Sequence, residues 1–315
     1  MKTVLFYQHF GKKGVVRGAH HKTFDFFQHI KSFTDFKPLI FFDEDSIWDE
    51  NLPWFNCFDT MPTLKDLKVT PDILFLNSGK DWIKYSENRT IPSTMPIISP
   101  VNNFRAINPL HKSYEFLPRK AIRLCPSIEL YEAVNNHPLT NGKTIYLPNG
   151  VGINDEANKL KENKTIDILI VGNKNPDLAH QIFLKIKKDN IHVDIIDGWI
   201  SKKDFQNKLA KSHISVHLPK IVEEHYIPGV EAMMLESLVI IPDCVGNRSY
   251  SKHMKTCFIT EYSLDGMLIA IEYMLKLNDE EKQNILLNAI KSSEVFLLNK
   301  EKSALYKILN FVEKI

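Results

Sequence analysis

The sequence predicts an α/β protein of two domains, each built on a parallel sheet, and three observations carry that prediction. Short apolar runs alternate with longer stretches of helical periodicity, an order that sets successive strands parallel through helical crossovers. The series restarts after residue 150. The length of 315 residues accommodates about two domains at the usual ~150 residues each, with enough chain for two apolar cores.

In the first domain, strands are expected at TVLFY (3–7), KPLIFF (37–42), PDILFLN (71–77), MPIISP (95–100) and KTIYLP (143–148). The second series comprises IDILIVG (166–172), IHVDIIDG (191–198), ISVHLP (214–219), LVIIPD (238–243) and CFITE (257–261). From Leu264 onward apolar residues fall at helical spacing, first Met267, Ile271 and Met274, later Leu305, Ile308, Leu309 and Val312. The chain should therefore close as helices. Open α/β sheets bind ligands outside the carboxyl ends of their strands, so functional residues are sought in the loops that follow strands.

Composition narrows the function classes. Forty basic residues against 38 acidic ones leave a formal net charge of +2, which argues against a general nucleic-acid or polyanion binder. Hydrophobic residues at 43% and charged ones at 25% are ordinary for a globular chain. Cys57, Cys125, Cys244 and Cys257 show neither C-x-x-C spacing nor the density of a secreted disulfide framework, which fits a reducing cytoplasm. The opening MKTVLFYQHFGKKG is interrupted by Gln8 and His9 and reads as a first strand, not a signal peptide. No apolar run approaches the ~20 residues of a membrane-spanning helix, so a membrane contact would be peripheral, at the inner face.

The most informative stretch is EEHYIPGVE at 223–231, where Glu223 and Glu231 bracket seven residues and Pro228-Gly229 precedes an apolar helical pattern. The continuation VEAMMLESLVIIPDCVGN predicts a short helix from about Val230 to Glu236, a buried strand, and a loop at Asp243–Asn247. Glu231 would then sit in the first helical turn, beside unpaired backbone N–H groups and partial positive charge suited to a diphosphate. Its carboxylate could accept hydrogen bonds from two adjacent hydroxyls, as on a ribose, while Glu223 on the preceding loop could reach a sugar beyond the phosphates. Two acids so held suggest sugar-nucleotide chemistry.

At these residues the sequence resembles the retaining glycosyltransferases of GT-B fold usually called family 4. The shared pattern is Glu223, Glu231, Ala232, Met233, the strand Val239-Ile240-Ile241, then Asp243 and Gly246. A second match is YLPNGVGIN at 146–154, similar to the segment where the family's first domain hands over to its second; a third is KTIDILIVGN at 164–173. The resemblance implies two Rossmann-like domains facing each other across a cleft, 1–150 for the acceptor and 151–294 for the nucleotide-sugar donor. It also implies a final helix, about 295–315, crossing back onto the first domain.

The resemblance further implies roles. Glu231 would bind the ribose and Glu223 the donor sugar, with Pro228, Gly229 and Val230 beside them. The family usually places an Arg directly after the glycine corresponding to Gly172, and a Lys a few residues on; here Asn173 and Lys174 follow. Lys174 and Lys220 are the candidate cations for the departing diphosphate, against the plainer reading of solvated surface lysines. Gly198-Trp199 corresponds to the place where backbone and a flat side chain meet the base; a Trp packed between strand and helix is the competing reading. In the first domain the loop with Gly11, Gly14 and Gly18 resembles the family's glycine-rich loop, making Gly14, Gly18 and Arg17 candidates for acceptor or phosphate contact.

Other groups read more plainly. His20 and His21 lack a third ligand at metal spacing, so neither a metal nor a cofactor is expected beyond the nucleoside-diphosphate sugar itself. Asp43-Glu44-Asp45 reads as a solvated acidic loop ahead of a manganese site, and NGKTIYLP at 141–148 leads into a strand, unlike a phosphate-binding loop. Asn102, Asn103 and Arg105 could address a sugar or cap the next helix. HKSYEFLPRKAIRL at 111–124 gathers Lys112, Arg119, Lys120 and Arg123, a face for anionic lipid or, more simply, a solvated helix flank. The functional expectation is a metal-independent retaining glycosyltransferase acting on a glycan or lipid-linked acceptor. A silent sugar-nucleotide binder and a sugar-nucleotide epimerase of the same fold are the alternatives.

Overall fold

A computed structural model describes residues 1–10, 18–48, 50, 52–55, 70–77, 80–187 and 190–312. The chain divides into two compact units, residues 1–149 with 299–315 and residues 150–298.

The first unit is built on β1 (Lys2–Gln8), β2 (Phe36–Phe42), β3 (Ile73–Leu76), β4 (Ile97–Pro100), β5 (Ile122–Cys125) and β6 (Thr144–Tyr146). They form one sheet in the order β2-β1-β3-β4-β5-β6, with every pairing parallel. Its strands are buried on both faces, as a parallel sheet covered by helices requires. On one face α1 (Gly18–Lys31) presents Phe26, Phe27 and Ile30 to Phe6 and Phe75 of the sheet; α2 (Lys80–Asn88) and α3 (Ile128–Asn135) follow β3 and β5.

The last helix, α10 (Leu298–Val312), belongs to this first core. Its Leu305, Ile308, Leu309 and Val312 are buried among Val4, Phe36 and Ile40. Glu301 of α10, with its side chain 1% exposed, sits 2.8 Å from Lys22 Nζ and 3.0 Å from His29 Nε2 of α1. A carboxylate so deep is tolerable only with such partners, so the pairing fixes the helix against α1 in one register.

Strand β5 is the element that sequence reading missed, because a four-residue run with Arg123 inside it does not look apolar. The guanidinium is buried and donates to the carbonyls of Phe116 (2.9 Å), Leu117 (2.8 Å), Arg119 (2.7 Å), Asn141 (2.5 Å) and Ala121 (3.4 Å). Burial pushes it down to about 10. Arg119 donates to the carbonyls of Ile91 and Pro92. The expected basic helix flank at 111–124 is therefore a short 3-10 turn (Lys112–Phe116) leading into an inner strand, and Arg123 binds backbone where a lipid face would need it outside. No helix among the described residues is long and apolar enough to cross a membrane.

The acidic loop is also corrected. Asp43 is 5% exposed and accepts from the Tyr7 hydroxyl and the Asp45 amide, so it is an inner group of the first sheet's edge. Asn103 caps the short turn Phe104–Ile107, and Asn102 donates to Asn77 Oδ1 at 3.0 Å.

In the second unit β7 (Ile166–Val171), β8 (Val193–Ile196), β9 (Ser212–His217), β10 (Leu238–Pro242) and β11 (Phe258–Thr260) pair in the order β11-β10-β9-β7-β8. All pairings are again parallel. One face is covered by α4 (Asp155–Leu160), α6 (Lys202–Ala210) and α7 (Ile227–Met234), packed as one apolar cluster with Leu169, Val239 and Ile241. The other carries α5 (Pro176–Ile186) and α8 (Leu264–Lys276) against Ile168, Val216 and Ile240. The helix α9 (Asp279–Ser293) opens with a capping box between Asn278 and Glu281, which satisfies two otherwise orphaned amides.

Candidate functional site

Because β7, β8, β9 and β10 run parallel, the loops that leave them emerge at one edge of the second sheet. That edge gathers Asn173 and Lys174 after β7, Gly198 and Trp199 after β8, Lys220 to Glu223 after β9, and Asp243 to Asn247 after β10.

The turn after β7 is closed by Gly172. A Cβ there would stand 2.1 Å from Ala179 Cβ of α5, so only glycine lets the helix pack so near the strand end. Asn175 caps α5 by accepting from the Leu178 amide at 3.3 Å. Between them Asn173 and Lys174 project outward, and Lys174 Nζ reaches Glu223 Oε1 at 2.6 Å. The same oxygen accepts the backbone N–H of Lys220 at 3.0 Å. The Lys220 residue is exposed, so its amide, not its ammonium, joins the pair. Lys174 Nζ also stands 5.2 Å from the Tyr226 ring centroid, a cation–π distance.

Glu223 is held by the loop after β10. Its amide donates to the Cys244 carbonyl at 2.9 Å, and it bridges to Val245. Gly246 makes the approach possible, since a Cβ there would lie 2.5 Å from the Glu223 carbonyl oxygen. Asn247 ties the loop with its side chain, accepting from Cys244 N at 3.0 Å and donating to the Pro242 carbonyl at 2.9 Å. The aspartate and glycine of the sequence pattern thus belong to the brace that sets the backbone of Glu223.

Helix α7 begins at Ile227 with Pro228 in its first positions, three residues before the expected Val230. Glu231 is its fifth residue, in the second turn and not the first. The first turn has few amides to offer a ligand: Pro228 has none, Ile227 donates to the His225 carbonyl and Gly229 to that of Tyr226. Gly229 has a packing task. A Cβ on it would stand 2.6 Å from the Tyr250 hydroxyl oxygen, which donates to the Tyr226 carbonyl at 2.6 Å. Val230 is wholly buried.

Glu231 is 4% exposed. Its Oε1 accepts from Gln206 Nε2 of α6 at 2.7 Å. Burial pushes this carboxyl above its ordinary value, opposed by the charge of Lys202 and by the Gln206 hydrogen bond. Gln206 also donates to the Gly152 carbonyl at 2.8 Å and accepts from the Asn154 amide and side chain at 2.9 Å. One carboxamide therefore joins Glu231 to the segment that follows Pro148-Asn149-Gly150. Sequence reading missed Gln206, which lies on a polar helix with no motif around it.

Two further residues were missed. His217, the last of β9, is wholly buried, and burial pushes its imidazole down to about 3; its neutral ring meets Ser215 Oγ at 3.0 Å and the Tyr226 hydroxyl at 3.4 Å. The Tyr262 hydroxyl donates to the Pro219 carbonyl and so anchors the start of the Glu223 loop. Both could have been suspected only from their place at strand ends.

Trp199 is 62% exposed, which overturns the packed alternative and leaves a free indole face beside Gly198. Gly18 opens α1 with nothing within 4 Å of a built Cβ, while Gly14 and Arg17 lie outside the described residues. Among the described residues no group of three His, Cys, Asp or Glu is placed to hold a metal ion. Glu236 has φ of 60°. That is the left-handed conformation glycine favours at a helix end, and here Lys161 pairs with the side chain at 2.6 Å.

No family model matches the sequence, and no curated protein sequence matches it. Solved structures do. Sucrose-phosphate synthase from Thermosynechococcus elongatus superposes with a TM-score of 0.75 at 10% identity, covering 100% of both chains. HepE from Anabaena, in complex with UDP-glucose, gives 0.70 at 15% identity over 98% of this chain and 100% of that one. A glycosyltransferase from Rickettsia africae gives 0.68 at 13% identity over 99% of each. At these identities the likeness is one of fold, two Rossmann-like domains of the GT-B type.

Proposed function

We propose that the protein transfers a sugar from a nucleoside-diphosphate sugar to an acceptor hydroxyl. The reading is carried by one observation: Lys174 and Glu223 meet at 2.6 Å on the ligand-binding edge of the second sheet. They lie in a chain whose fold is shared with HepE, which was solved with UDP-glucose. A cation for a departing diphosphate and a carboxylate for sugar hydroxyls are the two groups such a transfer needs side by side.

In this reading Glu231, held in place by Gln206, receives the ribose, Trp199 stacks on the base, and Glu223 orients the sugar. Lys174 neutralises charge on the leaving oxygen, with Lys220 as a second cation. The acids act by positioning more than as an acid–base couple. We take the transfer to be retaining and metal-independent, as in the family resembled, with the leaving phosphate oxygen helping to activate the incoming hydroxyl. The acceptor is a glycan or a lipid-linked acceptor.

The test is release of nucleoside diphosphate from a panel of sugar nucleotides, with and without glycan acceptors. Turnover abolished by Glu231→Ala supports transfer. A second reading, a silent sugar-nucleotide binder, is favoured by Asn173 standing exposed where the family places arginine. Donor binding without release across the panel would select it.

A further inference from the structure

We propose that the Lys174–Glu223 pair is a latch that discriminates the sugar nucleotide from the spent nucleoside diphosphate, so that Glu223 reclaims Lys174 once the sugar has left. The inference rests on the donor-site reading above and deepens it.

The two partners are unequally free. Glu223 is fixed through its backbone by the Cys244 carbonyl and the bridge to Val245, and its side chain is 12% exposed. Lys174 lies on an outward turn, has a side chain 30% exposed, and carries a four-carbon stem with rotatable donors. When the pair opens, the ammonium is the group that moves.

Charge then decides which ligand opens it. A diphosphate approaching Lys174 also approaches the Glu223 carboxylate, and two anions compete for one ammonium in a partly desolvated place. Glu223 loses a charged partner and keeps only the Lys220 amide on Oε1. Among the described residues Oε2 has no hydrogen-bond partner. A sugar attached to the diphosphate brings hydroxyl donors to both oxygens and compensates the loss. A bare nucleoside diphosphate brings none there, its ribose hydroxyls being taken at Glu231. After transfer the product therefore sits beside an uncompensated carboxylate, which favours its departure; product release is a common limit on turnover.

The experiment is calorimetric titration of the full chain with UDP, ADP, GDP and TDP and with the corresponding glucose nucleotides. The proteins are the wild type, Glu223→Gln, Glu223→Ala, Lys174→Met and Lys174→Met/Glu223→Gln. For the base that binds, Glu223→Gln and Glu223→Ala should tighten the nucleoside diphosphate on the order of tenfold, from a freed lysine and a removed repulsion, while weakening the sugar nucleotide. In the Lys174→Met background Glu223→Gln should recover less than half of that gain. Unchanged or weaker nucleoside diphosphate binding in both Glu223 variants, with wild-type binding intact, overturns the latch alone. A wild type that binds neither ligand class overturns the donor-site reading and the latch with it.

Discussion

The carboxamide of Gln206 donates to Glu231 Oε1 at 2.7 Å while its oxygen accepts twice from Asn154 at 2.9 Å. With the bond to the Gly152 carbonyl at 2.8 Å, every donor and acceptor of this one side chain is used, which fixes its orientation. A buried acid and a loop far from it in sequence are thereby held in a single geometry.

Gln206→Leu should accordingly lower the unfolding free energy by about 2–3 kcal/mol, because it leaves the buried Glu231 and the half-buried Gly152 carbonyl without their donor. Urea unfolding measures the loss. Sugar-nucleotide affinity should fall with it, and a variant of unchanged stability would mean that the clamp bears no load.

Glu231→Gln should act in the opposite direction on stability. Burial raises the Glu231 carboxyl above its ordinary 4.5, so the folded chain keeps this proton to higher pH than the unfolded chain does. Stability therefore falls as pH rises from the ordinary carboxyl range through the raised value. The amide cannot ionise and still accepts from Gln206. The variant should melt higher than the wild type at pH 7, and the gap should close below pH 4.5. Donor binding should weaken at every pH, the pattern of a site that trades stability for function.

Gly229→Ala should destabilise by about 1–3 kcal/mol, since the new methyl must displace a Tyr250 hydroxyl oxygen only 2.6 Å away. Tyr250→Phe in the same chain removes that oxygen and should recover part of the loss in a chemical denaturation series. No recovery would place the strain in the helix backbone and not against Tyr250.

Arg123→Met should cost about 3–5 kcal/mol of stability, because five backbone carbonyls lose a buried charged donor together. Sedimentation with anionic vesicles should show Arg123 making no contribution to lipid attachment. Preserved stability would contradict the strand assignment of its side chain.

The parallel order of the sheets was legible because strands buried on both faces read as continuous apolar runs, Ile166 to Val171 being an instance. β5 was not, since Arg123 buries its charge against carbonyls that no local pattern announces. At the candidate site Glu223 and the Asp243–Asn247 loop were legible in the motif pattern, and Lys174 through the family resemblance. The start of α7 was misplaced because proline and glycine near a helix end suit either a loop or a first turn. Gln206, His217 and Tyr262 escaped notice, as each acts through partners distant in sequence.

The first unit borrows Leu305, Ile308, Leu309 and Val312 from the far end of the chain. A ribosome therefore delivers the sheet from Val4 to Tyr146 long before the helix that completes its core, whereas residues 150–298 are contiguous and can close as they emerge. The nascent first unit must wait, with apolar surface uncovered, until α10 has been made. Chaperone demand should thus be set by how late α10 arrives, and a gene rearranged to place α10 ahead of β1 should shorten that exposed interval.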